Sequence, residues 1–420
     1  MFRFLHAADI HLDSPLRGLQ RYEGAPVEAI RQATRRALEN LVRLAIDERV
    51  AFVVVAGDLY DGDWKEFRTG LYFVAQMVKL REAGVPVYLI AGNHDAANKM
   101  TRRLPLPDNV RILSHQRPET VILPEWDVAI HGQSFAQGAV LENLSVHYPA
   151  ALSGLFNIGL LHTAATGREG HEPYAPCTVE GLRAKQYDYW ALGHVHTREM
   201  LCDDPPILFP GNIQGRHIRE TGPKGCTLVS VDDRHAVTVQ AQALDVFRWE
   251  HCRVDASAAA SGDDVLQCVR QRLDTLAAES EGRALAVRVE VAGPCRAHRA
   301  LAAEPHRWTN EIRALAQDVG GGGLWIEKVQ LRTAPPQEPA QASLDGPLGE
   351  LVGLLAELKA DPRQISALGG EIAELWEKLP PELTEGSDAL GLDRPQQLRE
   401  MLDQVEQMLI HQLLAREGPA

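Results

Sequence analysis

Five short stretches of this sequence end an apolar run in groups that can bind a cation or move a proton. "HAADIH" supplies Asp9 and His11, and "VVVAGDLYD" supplies Asp58 and Asp61. "LIAGNHD" supplies Asn93, His94 and Asp95, "GLLHT" supplies His162, and "ALGHVH" supplies His194 and His196. In open α/β sheets, sites form beyond the carboxyl ends of the strands, so five such ends aim their polar groups at one place. In an extended chain, residues i and i+2 face the same way. Asp9 with His11, and His194 with His196, are therefore each expected to act as a two-toothed ligand. Gly193 removes bulk where backbone must approach the site closely. Carboxylate, amide and imidazole donors together suit manganese, iron or zinc, and fit an all-oxygen calcium or magnesium cage poorly.

Each stretch alone has an ordinary explanation. "GDLYD" reads equally as a turn with capping aspartates and "GNHD" as a hairpin, and a lone strand-end histidine is usually a satisfied one. His115, His131, His147 and His171 carry no weight for that reason. The ordinary explanation would have to hold five times, in a fixed order, always after an apolar run.

The elements that would position these groups alternate along the first 245 residues. "FRFLHAAD", "FVVVAGD" and "PVYLIAGN" read as buried strands, with helices expected over 27–48 and 65–83 between them. "VAIHG", "FNIGLLHT" and "YWALGHVH" follow, then a β-rich finish in "ILFPGN", "CTLVSVD" and "AVTVQAQAL". Residues 246–334 read as a smaller α+β unit in β-α-β-α-β order, its first helix opened by a Ser261-to-Asp264 capping pattern. "TAPPQEPAQAS" is a linker. Beyond it, Leu344, Leu348, Leu351, Leu355 and Leu358 repeat at four-three spacing, and Leu398, Leu402, Val405 and Leu409 line a second helix. Both stripes are narrow, as in a coiled-coil seam, so the tail either folds as a hairpin or docks on a partner.

A chain of 420 residues is long for one core, and two or three domains are the prior. Its six cysteines never form C-x-x-C, and the N-terminus meets Asp9 and His11 too soon for a signal peptide, so a reducing cytoplasm is expected. No apolar run reaches the length of a membrane span. Net charge is −14. Residues 338–420 hold 16 acidic and 6 basic residues, so most of the acidity sits in the tail and the remainder is near neutral. No basic block advertises an anionic substrate.

In their order, D-x-H, G-D-x-x-D, G-N-H-D, a strand-ending H and G-H-x-H resemble the calcineurin-like metallophosphoesterases, over about residues 9–196. The resemblance implies a four-layer α/β/β/α sandwich and two divalent metals. One would be held by Asp9, His11, Asp58 and His196, the other by Asp58, Asn93, His162 and His194, with Asp58 bridging. "HAADIHLDSPLRGL" and "FPGNIQGRHIRETGPKG" narrow the resemblance to the bacterial SbcD-type DNA exonucleases, most like their YhaO branch. That implies a nuclease domain over 1–245, a capping domain over 246–334, and a linker and helical partner-binding region over 335–420. It also implies a DNA substrate, docking of residues 338–420 on an SMC-like coiled-coil ATPase, and manganese as the first choice of metal, with iron, zinc or magnesium as alternatives. A homodimer through the phosphoesterase core is a further expectation from the family. Some nuclease members have a histidine where Asp61 stands, so a second catalytic histidine is not expected at that position.

The expected chemistry is hydrolysis of a phosphodiester by a water activated between two cations. His94 is the candidate to stabilise or protonate the leaving group. Asp95 either orients His94 or caps the next helix. Arg216 and His217 are candidates for a phosphate contact, as against an ordinary surface loop, and Arg102 and Arg103 for a contact with a DNA backbone. Two rival functions remain at this level: a phosphoesterase of small molecules such as cyclic nucleotides, and a non-catalytic scaffold. Intact donors at every ligand position, together with His94, argue against the scaffold.

Overall fold

The structure, a computed structural model, describes residues 1–14, 24–61, 67–97, 105–165, 174–336 and 347–371, with scattered positions from 378 to 409. Arg102, Arg103, His171 and Leu344 lie outside the described residues, as do several positions of the second tail helix. The chain divides into two compact units. The first is Met1–His251 with Ala277–Val287 and Gly323–Glu327, and the second is Cys252–Leu276 with Arg288–Gly322 and Lys328–Ala420.

The first unit opens with β1 (Phe2–Ala7), α1 (Val27–Asp47), β2 (Phe52–Ala56), α2 (Phe67–Glu82), β3 (Val87–Ile90), α3 (Asn93–Ala97) and β4 (Val110–Ile112). It continues through β5 (Glu119–Leu123), β6 (Val128–Gly132), β7 (Phe156–His162), α4 (Val179–Arg183), β8 (Tyr189–Gly193) and β9 (Glu199–Asp203). It then runs through β10 (Pro206–Phe209), β11 (Gly225–Val231) and β12 (Val237–Ala243). Two six-stranded sheets result, ordered β12-β11-β1-β2-β3-β4 and β5-β6-β7-β8-β10-β9. β1 to β4 pair in parallel, as do β6, β7, β8 and β10, and the antiparallel pairs lie toward the edges.

The period-two alternation of the strands builds the layers. Phe52, Val54 and Ala56 of β2 join Phe4, Ile90, Phe156, Ile158, Leu160 and Tyr189 in the core between the sheets. Phe4 stacks on Phe52 at 5.0 Å and meets Tyr189 edge-on at 5.3 Å. Val53 and Val55 face the other way, onto Leu38, Leu41 and Val42 of α1 and Phe73 and Met77 of α2. On the outer face of the second sheet, Leu161, Trp190, Leu192 and Phe209 pack against Leu144, Tyr148 and Leu182. The expected four-layer sandwich is therefore present. Among the described residues, its outer layer on the second sheet is thin: a 3-10 turn at Leu144–His147, the short α4 and loops.

β13 (Phe247–Asp255), β14 (Ala284–Pro294) and β15 (Leu324–Ala334) form a third sheet in that order. In the second unit, the expected capping pattern opens α5 (Gly262–Glu279): Ser261 N–H and Oγ–H donate to Asp264 Oδ2, and Asp264 N–H donates back to Ser261 Oγ at 3.2 Å. A Cβ at Gly262 would lie 2.0 Å from the Trp308 ring, so helix and indole touch closely. Trp308 belongs to α7 (Pro305–Asp318), which follows the short α6 (His298–Ala303). The tail carries α8 (Pro347–Ala360) and α9 (Pro362–Glu371). Lys359 pairs with Asp403 at 2.7 Å and with Glu406, and Ile365 and Leu398 are buried. Arg399 Nε–H donates to Lys359 O at 3.2 Å, so the two helical segments of the tail touch. No described helix is long and apolar enough to cross a membrane.

Candidate metal centre

The polar residues beyond β1, β2, β3, β7 and β8 do meet, though not as extended strand ends. β1 stops at Ala7 and β2 at Ala56. Asp9, His11 and Asp58 then adopt left-handed backbone, with φ of 50°, 45° and 52°. Such angles are uncommon outside glycine and cost on the order of 1–3 kcal/mol each where they are imposed. What imposes them is a ladder between the two loops: Asp9 N–H donates to Gly57 O, His11 N–H to Asp58 O and Leu12 N–H to Leu59 O, at 2.9–3.0 Å. Asp9 and His11 stay together in one donor group, so the two-toothed picture read from the sequence is corrected for His194 and His196 alone. His194 is also left-handed, at φ 104°, and it parts company with His196.

Three groups of donor atoms lie close enough to share a cation. Asp9, His11 and His196 form one, Asp58, His162 and His194 another, and His11, Asp58 and His94 a third, each with its donor atoms within 4.8 Å of one another. Asp58 stands between the first two, with Oδ2 3.5 Å from His162 Nε2 and 3.9 Å from His11 Nε2. Asn93 Oδ1 lies 2.9 Å from His162 Nε2. Every donor read from the sequence is thus brought to one place.

The backbone approach that demands Gly193 is to the end of β2: a Cβ there would fall 1.9 Å from the Ala56 carbonyl oxygen. Gly92 is needed for a different reason, since its Cβ would fall 2.3 Å from Asp58 Oδ1.

Burial and the neighbouring Asp58 hold the Asp9 carboxyl well above its usual range, and burial pushes Asp58 up to about 6. Burial also holds His11 well below its ordinary value and His162 at about 3. His162 Nδ1–H donates to Ala56 O at 2.9 Å, which leaves Nε2 bare toward the centre. His11 Nδ1 is buried without a hydrogen-bond partner, while the Nε2 atoms of His11 and His196 face each other at 3.1 Å. Burial that disfavours charge on His11 and His162, beside the crowded carboxylates of Asp9 and Asp58, leaves a donor set short of positive charge, with His196 at its edge 22% exposed. A pair of divalent cations fits these residues.

His94 lies at the rim, with its side chain 40% exposed. Its Nδ1 lies 3.0 Å from Asp61 Oδ1, a contact that raises the pKa of the ring. Burial works to raise Asp61, but His94, Ser14 and Arg216 outweigh it and hold the carboxyl at about 2. Asp95, for which an orienting and a capping role were both open, takes the capping one. Its oxygens accept from Gly92 N–H at 3.1 Å, Leu59 N–H at 3.1 Å and Tyr60 N–H at 2.9 Å, so it braces α3 and the loop that carries Asp58.

Sequence reading undervalued the segment from Asn212 to Glu220. Arg216 is not a surface-loop residue: its side chain is 13% exposed and pairs with Glu220 at 3.1 Å and Asp61 at 3.5 Å. Glu220, buried, lies 2.7 Å from His196 Nδ1 and was not singled out at all. It follows no apolar strand, so the pattern that found the other residues passes it by; its only signal was its place in "QGRHIRE". His217 is 46% exposed and 3.7 Å from Glu220. His131, given no weight, is a satisfied core histidine bonded to Thr120 and Asn157.

Comparison with known proteins gives the same outline. Residues 2–198 match the family profile of calcineurin-like phosphoesterases, and residues 249–334 match that of the metallophosphoesterase YhaO middle domain. The metallophosphoesterase YhaO of Bacillus subtilis (strain 168) is 35% identical over 294 residues, covering 69% of this chain and 71% of that protein. The DNA double-strand break repair protein Mre11 of Sulfurisphaera tokodaii is 27% identical over 264 residues, covering 58% and 63%. Its namesake from Methanopyrus kandleri is 26% identical over 227 residues, covering 50% and 48%.

Proposed function

The chain belongs to the calcineurin-like metallophosphoesterases, and from that premise we propose that it is a divalent-metal-dependent DNA nuclease, the catalytic partner of an SMC-like coiled-coil ATPase. The observation that carries the hydrolytic part is the meeting of Asp9, His11, Asp58, Asn93, His162, His194 and His196 beside an Asp61–His94 pair. The choice of DNA rests on the similarity to the DNA double-strand break repair proteins Mre11. Mixed nitrogen and oxygen donors suit manganese, iron or zinc, and the family resemblance makes manganese the first choice, with magnesium a further alternative.

Two bound cations would supply positive charge at the phosphoryl oxygens and a water made nucleophilic near neutral pH. Asp9, His11, Asp58 and His196 would hold one, and Asp58, Asn93, His162 and His194 the other. His94 meets the substrate from the rim. Asp61 accepts from His94 Nδ1–H and raises the pKa of the ring, so His94 would stand as the imidazolium, and its Nε2–H would be the proton passed to the leaving-group oxygen. Asp95 holds the Asp58 loop from behind through the Leu59 and Tyr60 N–H groups, and its own helix start through Gly92 N–H.

The tail, with 16 acidic and 6 basic residues over 338–420, would meet a basic surface of the ATPase. A homodimer through the phosphoesterase core belongs to the same reading. The test is degradation of end-labelled linear DNA by the purified chain with added Mn²⁺, beside a His94→Ala preparation. Cutting by the first alone supports the nuclease. Hydrolysis of a small phosphodiester ester with DNA left intact by both would instead favour a small-molecule phosphoesterase.

A further inference from the structure

His196 meets three groups outside the cation cluster, two at its ring and one at its backbone carbonyl. Glu220 Oε1 lies 2.7 Å from its Nδ1. Arg216 Nη2 lies 3.1 Å from that nitrogen and 3.1 Å from Glu220 Oε1. Lys224 Nζ–H donates to the His196 carbonyl at 3.1 Å. These distances place a proton on His196 Nδ1. Glu220 accepts from Arg216 Nη2, from Arg216 backbone N–H at 2.8 Å and from Asn212 Nδ2 at 3.0 Å, so its carboxylate is surrounded by donors and is ionised. An ionised carboxylate has no proton to give. At 2.7 Å the shared proton therefore belongs to His196 Nδ1, and Arg216 serves Glu220 rather than the ring.

The consequence reaches the centre. With Nδ1 carrying the proton, Nε2 is the atom of His196 that turns to His11 Nε2 and Asp9. Arg216 continues the chain of contacts: its Nη1 lies 3.5 Å from Asp61 Oδ2, and the other oxygen of Asp61 meets His94. We propose that Glu220 is a positioning residue of the dimetal site, fixing His196 as its Nδ1–H tautomer so that Nε2 takes the metal, and that Arg216 ties this unit to the Asp61–His94 pair. The inference rests on the reading of His196 as a metal ligand. It adds the segment Asn212–Glu220 to the functional site, although no residue of that segment need touch a cation.

A carboxylate behind a metal-bound histidine orients the ring and raises its basicity, and losing it weakens metal binding by about 10–100-fold. The experiment is a calorimetric titration of the metal-free full chain with Mn²⁺, for wild type and Glu220→Gln, an isosteric change that removes the charge. The expected result is two bound ions in both, with one of them weakened about 10–100-fold in the variant. Equal affinities at both sites overturn the role of Glu220 and leave the dimetal reading intact. A wild type that binds no pair of ions removes the dimetal reading and this inference with it. A variant that does not fold leaves the decision to the wild type, through ¹⁵N-histidine spectra of the metal-free and Zn²⁺-loaded chain. A proton held on His196 Nδ1 in both states supports the assignment, and an Nε2–H form overturns it.

Discussion

The Nδ1 atom of His94 lies 3.0 Å from Oδ1 of Asp61, a residue that stands after β2, whereas the carboxylate next to His94 in sequence, Asp95, turns to the backbone instead. The partner of the candidate proton donor is thus supplied across the site. Asp61→Asn should therefore lower the rate about 10–100-fold with little change in Mn²⁺ affinity, and His94→Ala about 100-fold or more. Turnover and metal titration on the same preparations check both, and an Asp61→Asn enzyme of unchanged rate would sink the assignment.

Asp95 should matter for stability more than for proton transfer. Its carboxyl accepts from three buried backbone N–H groups, and Asp95→Ala leaves them without that acceptor. The expected cost is ~3 kcal/mol or more, read as a fall in the urea midpoint of the metal-free protein. If Asp95 acted mainly through His94, the midpoint would hold and only turnover would drop.

Gly193→Ala tests the close approach of β8 to β2. The new Cβ would sit 1.9 Å from a backbone carbonyl, which cannot rotate away as a side chain can. Overpacking of this kind costs about 1–3 kcal/mol and sometimes more. Thermal melting should drop, and Mn²⁺ binding should weaken, because the strained strand end carries His194.

His6 predicts a specific pH dependence. It is fully buried between Tyr189 Oη and the Leu192 carbonyl, and burial lowers its pKa to about 3. Below pH ~6.5 the unfolded chain binds a proton that the folded ring refuses, so this contribution is complete above ~6.5 and is lost as pH falls toward 3. Between pH 7 and pH 5 the loss is about 2 kcal/mol. Asp58 and Asp95, raised by burial to about 6 and about 7, act with the opposite sign over the same window. The readout is therefore the difference between wild type and His6→Gln in urea unfolding at the two pH values. The acid-side loss should be about 2 kcal/mol smaller in the variant, and identical pH slopes would rule out a buried neutral His6.

What the sequence determined by itself is the set of donors and the sandwich that carries them. Apolar runs with period two specify buried strands, and a polar residue placed just past such a run lands at the sheet's edge wherever that strand packs. The residue types narrow the cation to a divalent ion that accepts mixed nitrogen and oxygen donors. What only tertiary structure decided is how those residues share the work. The "GHVH" histidines separate as the family resemblance implied, His194 toward His162 and Asp58 and His196 toward Asp9 and His11, and what the fold adds is that the loops leave the strands in left-handed backbone that no alternation rule describes. Asp61 rather than Asp95 meets His94. Glu220 and Arg216, far along the chain from Asp9 and His11, come to lie behind His196. Such contacts depend on which loops are laid side by side, and that follows from sheet order and long-range packing rather than from local spacing.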